Sequence, residues 1–140
     1  MADIIPKEVK KEVIDGWLNE TWKACLLTNA FTYVSGNHVF YSNLVSSEVV
    51  GSGYTAGGKE ITKLPWDGGS GYVETTNATL DGNDIAWSAS TLSNVRYIAI
   101  YEDTTVAKKI RAIYQFTADK SVTNGTITII WNSGGLIKIM

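Results

Sequence analysis

The stretch EVVGSGYTAGGKEITKL, residues 48–64, constrains this chain more than any other part of it. Gly51, Gly53, Gly57 and Gly58 lie between an apolar pair, Val49 and Val50, and a β-leaning run over residues 60–64. Glycine costs conformational entropy unless the backbone must take φ > 0 or approach another segment closely. The stretch is therefore either a specially shaped strand–turn–strand element or a glycine-rich loop for a ligand. A phosphate-cradling loop reads G-x-x-x-x-G-K-[ST] and opens a helix. Here Lys59 is followed by Glu60, and the partial match over residues 53–59 runs into a strand pattern. The phosphate reading loses. On the remaining reading the glycines let the strand bend and pack tightly while Tyr54 caps or anchors the turn, so Gly53, Tyr54, Gly57 and Gly58 are structural positions.

A chain of 140 residues fits one domain, expected to span 1–140 with residues 1–20 as a helical arm. Five Trp and seven Tyr favour pleated, half-buried surfaces and lean the class toward β. With a net charge of −2 there is no global positive field to hold a phosphate backbone. The one basic run, Lys108, Lys109 and Arg111, sits beside Glu102 and Asp103 and reads as a solvated loop, so no nucleic-acid partner is expected. No apolar stretch approaches the ~18 residues needed to cross a bilayer, and no membrane partner is expected. No basic segment followed by an apolar one opens the chain, which predicts synthesis in the cytoplasm without an export address.

Residues 6–18 give the one convincing helix. Pro6 suits a first helical position, Glu8 suits the dipole, and Ile5, Val9, Val13 and Trp17 recur as an apolar stripe. Residues 21–28 are a strand candidate. Residues 29–47 read as a long aromatic loop holding Phe31, Tyr33, Phe40 and Tyr41, with a helical turn near 41–44. Turn chemistry follows at 64–69, 81–84 and 132–135. Strands are predicted at 72–80, 85–90, 95–101 (apolar on both faces, hence central), 110–117, 126–131 and 136–140. About eight strands in an antiparallel meander and one helix indicate a mainly β fold, an antiparallel β-sandwich or flattened β-barrel with one short N-terminal helix. Trp87, Ile98, Ile100, Ile113, Phe116, Ile129 and Trp131 are the predicted core.

The residues offer no reaction centre. His38 is the single histidine and Cys25 the single cysteine, so no zinc motif exists and no internal disulfide can form. A thiol dyad of the two is disfavoured because Cys25 lies in an apolar strand, where its thiolate is unstable. The Asp81, Asn83, Asp84 turn carries oxygen ligands but lacks the pattern of an EF-hand loop. No local carboxylate pair marks a glycosidase. The expectation is a protein that is not an enzyme and takes no cofactor or metal.

The order of elements resembles a group of small tailed-bacteriophage virion proteins. The likeness runs from about Lys23 onward. It rests on residues 23–32, residues 43–49, the Gly-Tyr-Thr-Ala-Gly-Gly signature at 53–58, residues 84–87, the Arg-Tyr strand at 96–101 and residues 125–129. The lysine-rich helix and the Leu64, Pro65, Trp66 segment depart from the group's pattern. The resemblance implies a virion structural protein, foremost a capsid decoration or cement protein that contacts the major capsid protein or other virion proteins and forms a homo-oligomer. A tail, collar or fibre component is the alternative, and a glycan-binding β module the third. Val9, Val13 and Trp17 on the helix, with Phe31, Tyr33, Phe40 and Tyr41 on the loop, are the candidate interface.

Overall fold

The structure, a computed structural model, describes residues 6–65, 78–131 and 136–139. It is mainly β and antiparallel with one short helix near the N-terminus. The elements run α1 (Lys7–Leu18), β1 (Trp22–Thr28), β2 (Lys59–Ile61), β3 (Lys63–Pro65), β4 (Ala78–Gly82), β5 (Ile85–Glu102), β6 (Ile110–Ile129) and β7 (Ile137–Ile139). Contacts divide the chain into two compact units, one of residues 1–20, 62–84 and 130–140, the other of 21–61 and 85–129.

In the first unit β3, β4 and β7 form an antiparallel sheet in the order β3-β4-β7. The helix expected as a terminal arm packs on β4 and β3. Its inward line differs from the predicted stripe. Ile14 is fully buried and Lys10 is buried beside it, while Val9 and Val13 stand exposed. A face centred on Ile14 gathers the positions at i−4, i+3 and i+4, which are Lys10, Trp17 and Leu18, and the aliphatic stem of Lys10 can serve as an apolar residue there. In the same unit Trp131 Nε1 donates to Asn83 O at 2.8 Å. Of the predicted turns and strands, residues 66–69, 72–77, 132–135 and 140 lie outside the described residues.

In the second unit the order is β2-β1-β5-β6. This is not a simple meander, because β1 pairs with β5 along its whole length, Trp22 opposite Glu102 through Thr28 opposite Val95. The central place predicted for residues 95–101 is where β5 sits. The paired segments 85–90 with 95–101, and 110–117 with 126–131, are two long strands rather than four. The polar stretches between them continue the β5–β6 hairpin through several shifts of register, with positive φ at Ala89, Asn94 and Asn124. The shifts are bulges and larger irregularities, the largest between Val95 and Tyr97, where β5 advances two residues and β6 five, and the ribbon continues through them.

Both faces of the centre of this sheet are buried. Trp22, Ala24, Leu26, Ile98 and Ile100 share one face by period-two alternation. Cys25, Leu27, Ala99 and Tyr101 share the other and form a cluster with Phe31 and Leu44 from the 29–47 loop. Trp87 and Ile129 are also core, as predicted, whereas Ile113, Phe116 and Trp131 are only half-buried. Residues 110–129 lie at the end of the described sheet order, so their second edge and outward face gain less cover.

Candidate functional site

The glycine stretch folds against β1 and β5 as a loop with β2 at its end. Val49 N donates to Leu26 O at 2.9 Å and Thr91 N to Ser52 O at 3.0 Å. Close approach explains its glycines. A Cβ on Gly58, whose φ is +76°, would lie 1.8 Å from Ala24 O. A Cβ on Gly53, at φ +78°, would meet the backbone of Ala89 and Ser90 at 2.8 Å. Lys59, the residue that raised the phosphate question, sits on β2. Its ammonium donates to Ala86 O and lies 5.9 Å from the Trp87 ring centroid.

Glu48 is the hub of this loop. Its carboxylate is buried, and it accepts from Tyr41 Oη at 2.6 Å, Tyr54 Oη at 2.6 Å and Gly57 N at 2.7 Å. Tyr54 Oη in turn accepts from Leu26 N at 3.0 Å, so one phenol ties the loop to β1. Tyr101 Oη donates to Gly57 O at 2.7 Å, and its ring stacks on Tyr41 with centroids 4.5 Å apart. Burial pushes the Tyr41 and Tyr54 phenols well above the ordinary range, and the carboxylate that accepts their protons adds to the shift. Burial, with the charge of Glu48 behind it, likewise raises Cys25 and keeps it a thiol. A buried carboxylate that accepts three hydrogen bonds has its charge well compensated, and a thiol held protonated is no nucleophile. Chemically this cluster holds backbone in place.

A second carboxylate holds the β5–β6 connection. Glu102 is buried and accepts from Thr104 N and Thr105 N at 2.9 Å, Lys109 N at 3.0 Å and the Thr105 hydroxyl. Burial alone would raise its pKa, but these hydrogen bonds outweigh it and bring the group down to about 2. Neighbouring Asp103, bridged by Lys108 at 2.8 Å and Lys23 at 2.9 Å, is lowered as well, by Lys108 first and then Lys23. The basic run is thus divided: Lys108 is committed to Asp103, while Arg111 lies further along β6. A carboxylate with a depressed folded pKa stabilises the native state above its unfolded value and loses that effect as pH falls through the folded one. Glu102 accordingly contributes on the order of 1–2 kcal/mol, after solvent screening, that disappears between about pH 4.5 and 2. Acid titration of Glu102→Gln should show a flatter loss of stability over that window than the wild type. An identical acid limb would remove Glu102 from this role.

The aromatic loop builds one wall of an open cleft in this unit. Gly36, at φ +81°, turns the loop, and Asn37 N and His38 N both donate to Val34 O at 3.2 Å. Ile110 N donates to Val39 O at 2.9 Å, tying the loop to the start of β6. Val34 N donates to His38 Nδ1 at 2.8 Å, which places the proton of the neutral ring on Nε2. The His38 ring meets Phe31 edge-on at 5.0 Å and Tyr33 at 5.9 Å, and Phe31 meets Tyr97 at 5.2 Å. Register sets Gln115 beside Tyr97 and Ile113 beside Ala99. Between loop and strand lies an open cleft of about 540 Å³, lined by Tyr33, His38, Tyr97, Arg111, Ile113 and Gln115 among others.

The predicted interface residues therefore separate. Phe31 is core at 2% exposure, and Tyr41 spends its hydroxyl on Glu48. Phe40 is half-buried and pairs with Lys109. Only Tyr33 of that loop set is open, at 56% exposure. On α1, Val9 and Val13 are exposed and Trp17 is half-buried. Gly53, Tyr54, Gly57 and Gly58 all take part in the glycine loop just described. Sequence reasoning missed Glu48 and Glu102; a lone acid next to an apolar pair, and one ending an apolar strand, were the available signals. Among the described residues no group of three or more His, Cys, Asp or Glu is placed to hold a metal ion, and no helix is long and apolar enough to cross a membrane. Compared with models of protein families, with characterised proteins and with solved structures, the chain matches none.

Proposed function

We propose that this chain is a non-enzymatic structural protein of a tailed-bacteriophage virion, acting as a decoration or cement protein on the head shell. The observation that carries the reading is the use made of the signature at residues 53–58. Its Tyr54 and Gly57 supply two of the three hydrogen bonds that Glu48 accepts, and an added Cβ on Gly53 or Gly58 would collide with the backbone of β5 or β1. The segment on which the resemblance rests is spent on rigidity, which suits a clamp held in many identical copies and leaves no group for turnover. Exposed apolar side chains supply contact surface in each unit: Val9 and Val13 on α1, and Tyr33, Val34 and Val39 on the loop. The partners on this reading are the major capsid protein or other virion proteins, together with further copies of the chain in a closed symmetric arrangement.

The test is to mix the purified protein with empty capsids of the phage that encodes it. Co-sedimentation with the shells and greater resistance of the shells to heat or chaotrope are expected. Its absence from purified virions by mass spectrometry would sink the proposal. Antibody labelling at the tail rather than the shell would move it to the tail, collar or fibre.

A further inference from the structure

We infer that the outer edge of β6 at Ile113 and Gln115 takes up an extended peptide segment of a partner protein, which adds a strand to the sheet and sets two aliphatic side chains in the cleft beside the 33–39 loop. Hydrogen-bond direction can be followed across the sheet. Leu26 N donates to Tyr54 Oη and Leu26 O accepts from Val49 N, so both main-chain groups of Leu26 point away from β5. In an antiparallel ladder the residue opposite, Ile98, then turns its own groups the other way, toward its partner Tyr114 on β6. Glu102 N, further along β5, donates to Lys109 O, as the same alternation requires. Tyr114 is thus bonded inward, and Ile113 and Gln115 direct their N–H and C=O groups outward, away from β5. β6 ends the described sheet order, so no described strand meets them there.

The 29–47 loop already uses the start of this edge as a strand would. Phe40 pairs antiparallel with Lys109, and Ile110 N donates to Val39 O at 2.9 Å. Continued along β6, residues 34–38 would cover 111–115. The loop turns away instead, with Gly36 at φ +81°, and closes on itself through Asn37 N and His38 N, which both donate to Val34 O. The space it leaves is the cleft of about 540 Å³, within the usual range of ligand sites. An antiparallel segment placed there exchanges N–H···O=C bonds with Ile113 and Gln115, alternate residues about 6.8 Å apart, a spacing that only another strand repeats. Its residues opposite those two send their side chains to the same face as Ile113 and Gln115, into a cleft whose walls include Tyr33, Val39, Tyr97 and Ile110. Such walls call for aliphatic side chains at alternate positions. In strand addition of this kind, main-chain bonds hold the segment and side-chain pockets select it. The β6 strand of a second copy does not fit the same edge. It continues well past Gln115 and would run into the 39–41 segment that lies on the other copy's edge. The edge is open whether or not the protein sits on a virion shell.

The test is a titration of the full chain, ¹⁵N-labelled, with the acetylated peptide amide Lys-Thr-Val-Thr-Val-Thr-Lys, followed by amide chemical shifts and amide hydrogen exchange. Saturable shifts confined to residues near 33–41 and 110–116 are expected, with slower exchange at Ile113 and Gln115. The same peptide N-methylated at both valines keeps its side chains but loses the two N–H groups that face β6, and should bind roughly tenfold more weakly or worse. N-methylation of the threonine between them, whose N–H faces away, should leave the affinity nearly unchanged. Gln115→Pro removes one outward donor at a place where an edge strand tolerates proline, and should weaken binding of the parent peptide. No saturable shift, equal loss from N-methylation at the valines and at the threonine, or shifts away from the cleft would each overturn the inference. So would the same shifts on raising the protein concentration without peptide, which would make a second copy the occupant. Ile113 and Gln115 amides that exchange as slowly as Tyr114 in the free chain would show the edge closed and overturn it too. The wild-type titrations decide by themselves if Gln115→Pro fails to fold.

Discussion

Gly58→Ala is expected to destabilise the unit of residues 21–61 and 85–129 by about 3 kcal/mol or more. Two costs combine. A side chain at φ +76° forfeits roughly 1–2 kcal/mol. The added Cβ would also lie 1.8 Å from Ala24 O, a contact that only a backbone shift can relieve. Overpacking of this kind costs typically ~1–3 kcal/mol when flexible side chains can give way, and here the obstacle is main chain. The shift would propagate, since Ala24 is paired on one side with Lys59 and on the other with Ile100. Gly16→Ala is the matched control. No atom comes within 4 Å of its added Cβ, and in a helix alanine is favoured over glycine by about 1 kcal/mol. Urea unfolding followed by tryptophan fluorescence should therefore move in opposite directions for the two variants. An unchanged midpoint for Gly58→Ala would mean that the loop does not meet β1 as described.

The glycine cluster announced in the sequence that some backbone had to be shaped closely, and the failed P-loop spacing argued against a phosphate loop. Neither could say which strands it would touch, because pairing across distant segments leaves no local mark. The apolar strand at 95–101 was legible as central because it is apolar on both faces. The continuity of β5 and β6 was not legible. Residues such as Asn94 and Asn124 tolerate positive φ equally well in a turn or a bulge, so a polar stretch in a long bulged ribbon reads as a loop. The helix was placed correctly but rotated, since four-residue spacing selects Val9 and Val13 while burial follows Ile14. The cleft was foreshadowed only as an aromatic loop. Its second wall, at Ile113 and Gln115, reaches it through pairing of β5 with β6.

Glu48→Ala should be strongly destabilising, because it leaves two phenols and one amide without their acceptor at once. Each buried donor left unsatisfied costs about 1–3 kcal/mol, and water entering the vacated space recovers part of it, so a net loss near 3 kcal/mol is expected. Glu48→Gln keeps the shape and one acceptor oxygen but points an N–H₂ at groups that also donate, and about half of that loss is expected. Tyr54→Phe removes the link to Glu48 and Leu26 together and should cost ~1–2 kcal/mol. Because the two residues share one hydrogen bond, the double variant should lose less than the sum, with a coupling of ~0.5 kcal/mol or more. Alkali gives an independent reading of the same contacts. Phenols whose folded pKa is raised are protonated equally in both states below about pH 10, and above it the unfolded chain sheds protons that the native state retains. Stability should fall from pH 10 upward, with Tyr54 alone contributing about 1.4 kcal/mol per pH unit, and Tyr54→Phe should reduce that slope. Additive losses together with an alkaline slope unchanged in Tyr54→Phe would show that Glu48 and Tyr54 act separately, and that the glycine loop is held by its backbone alone.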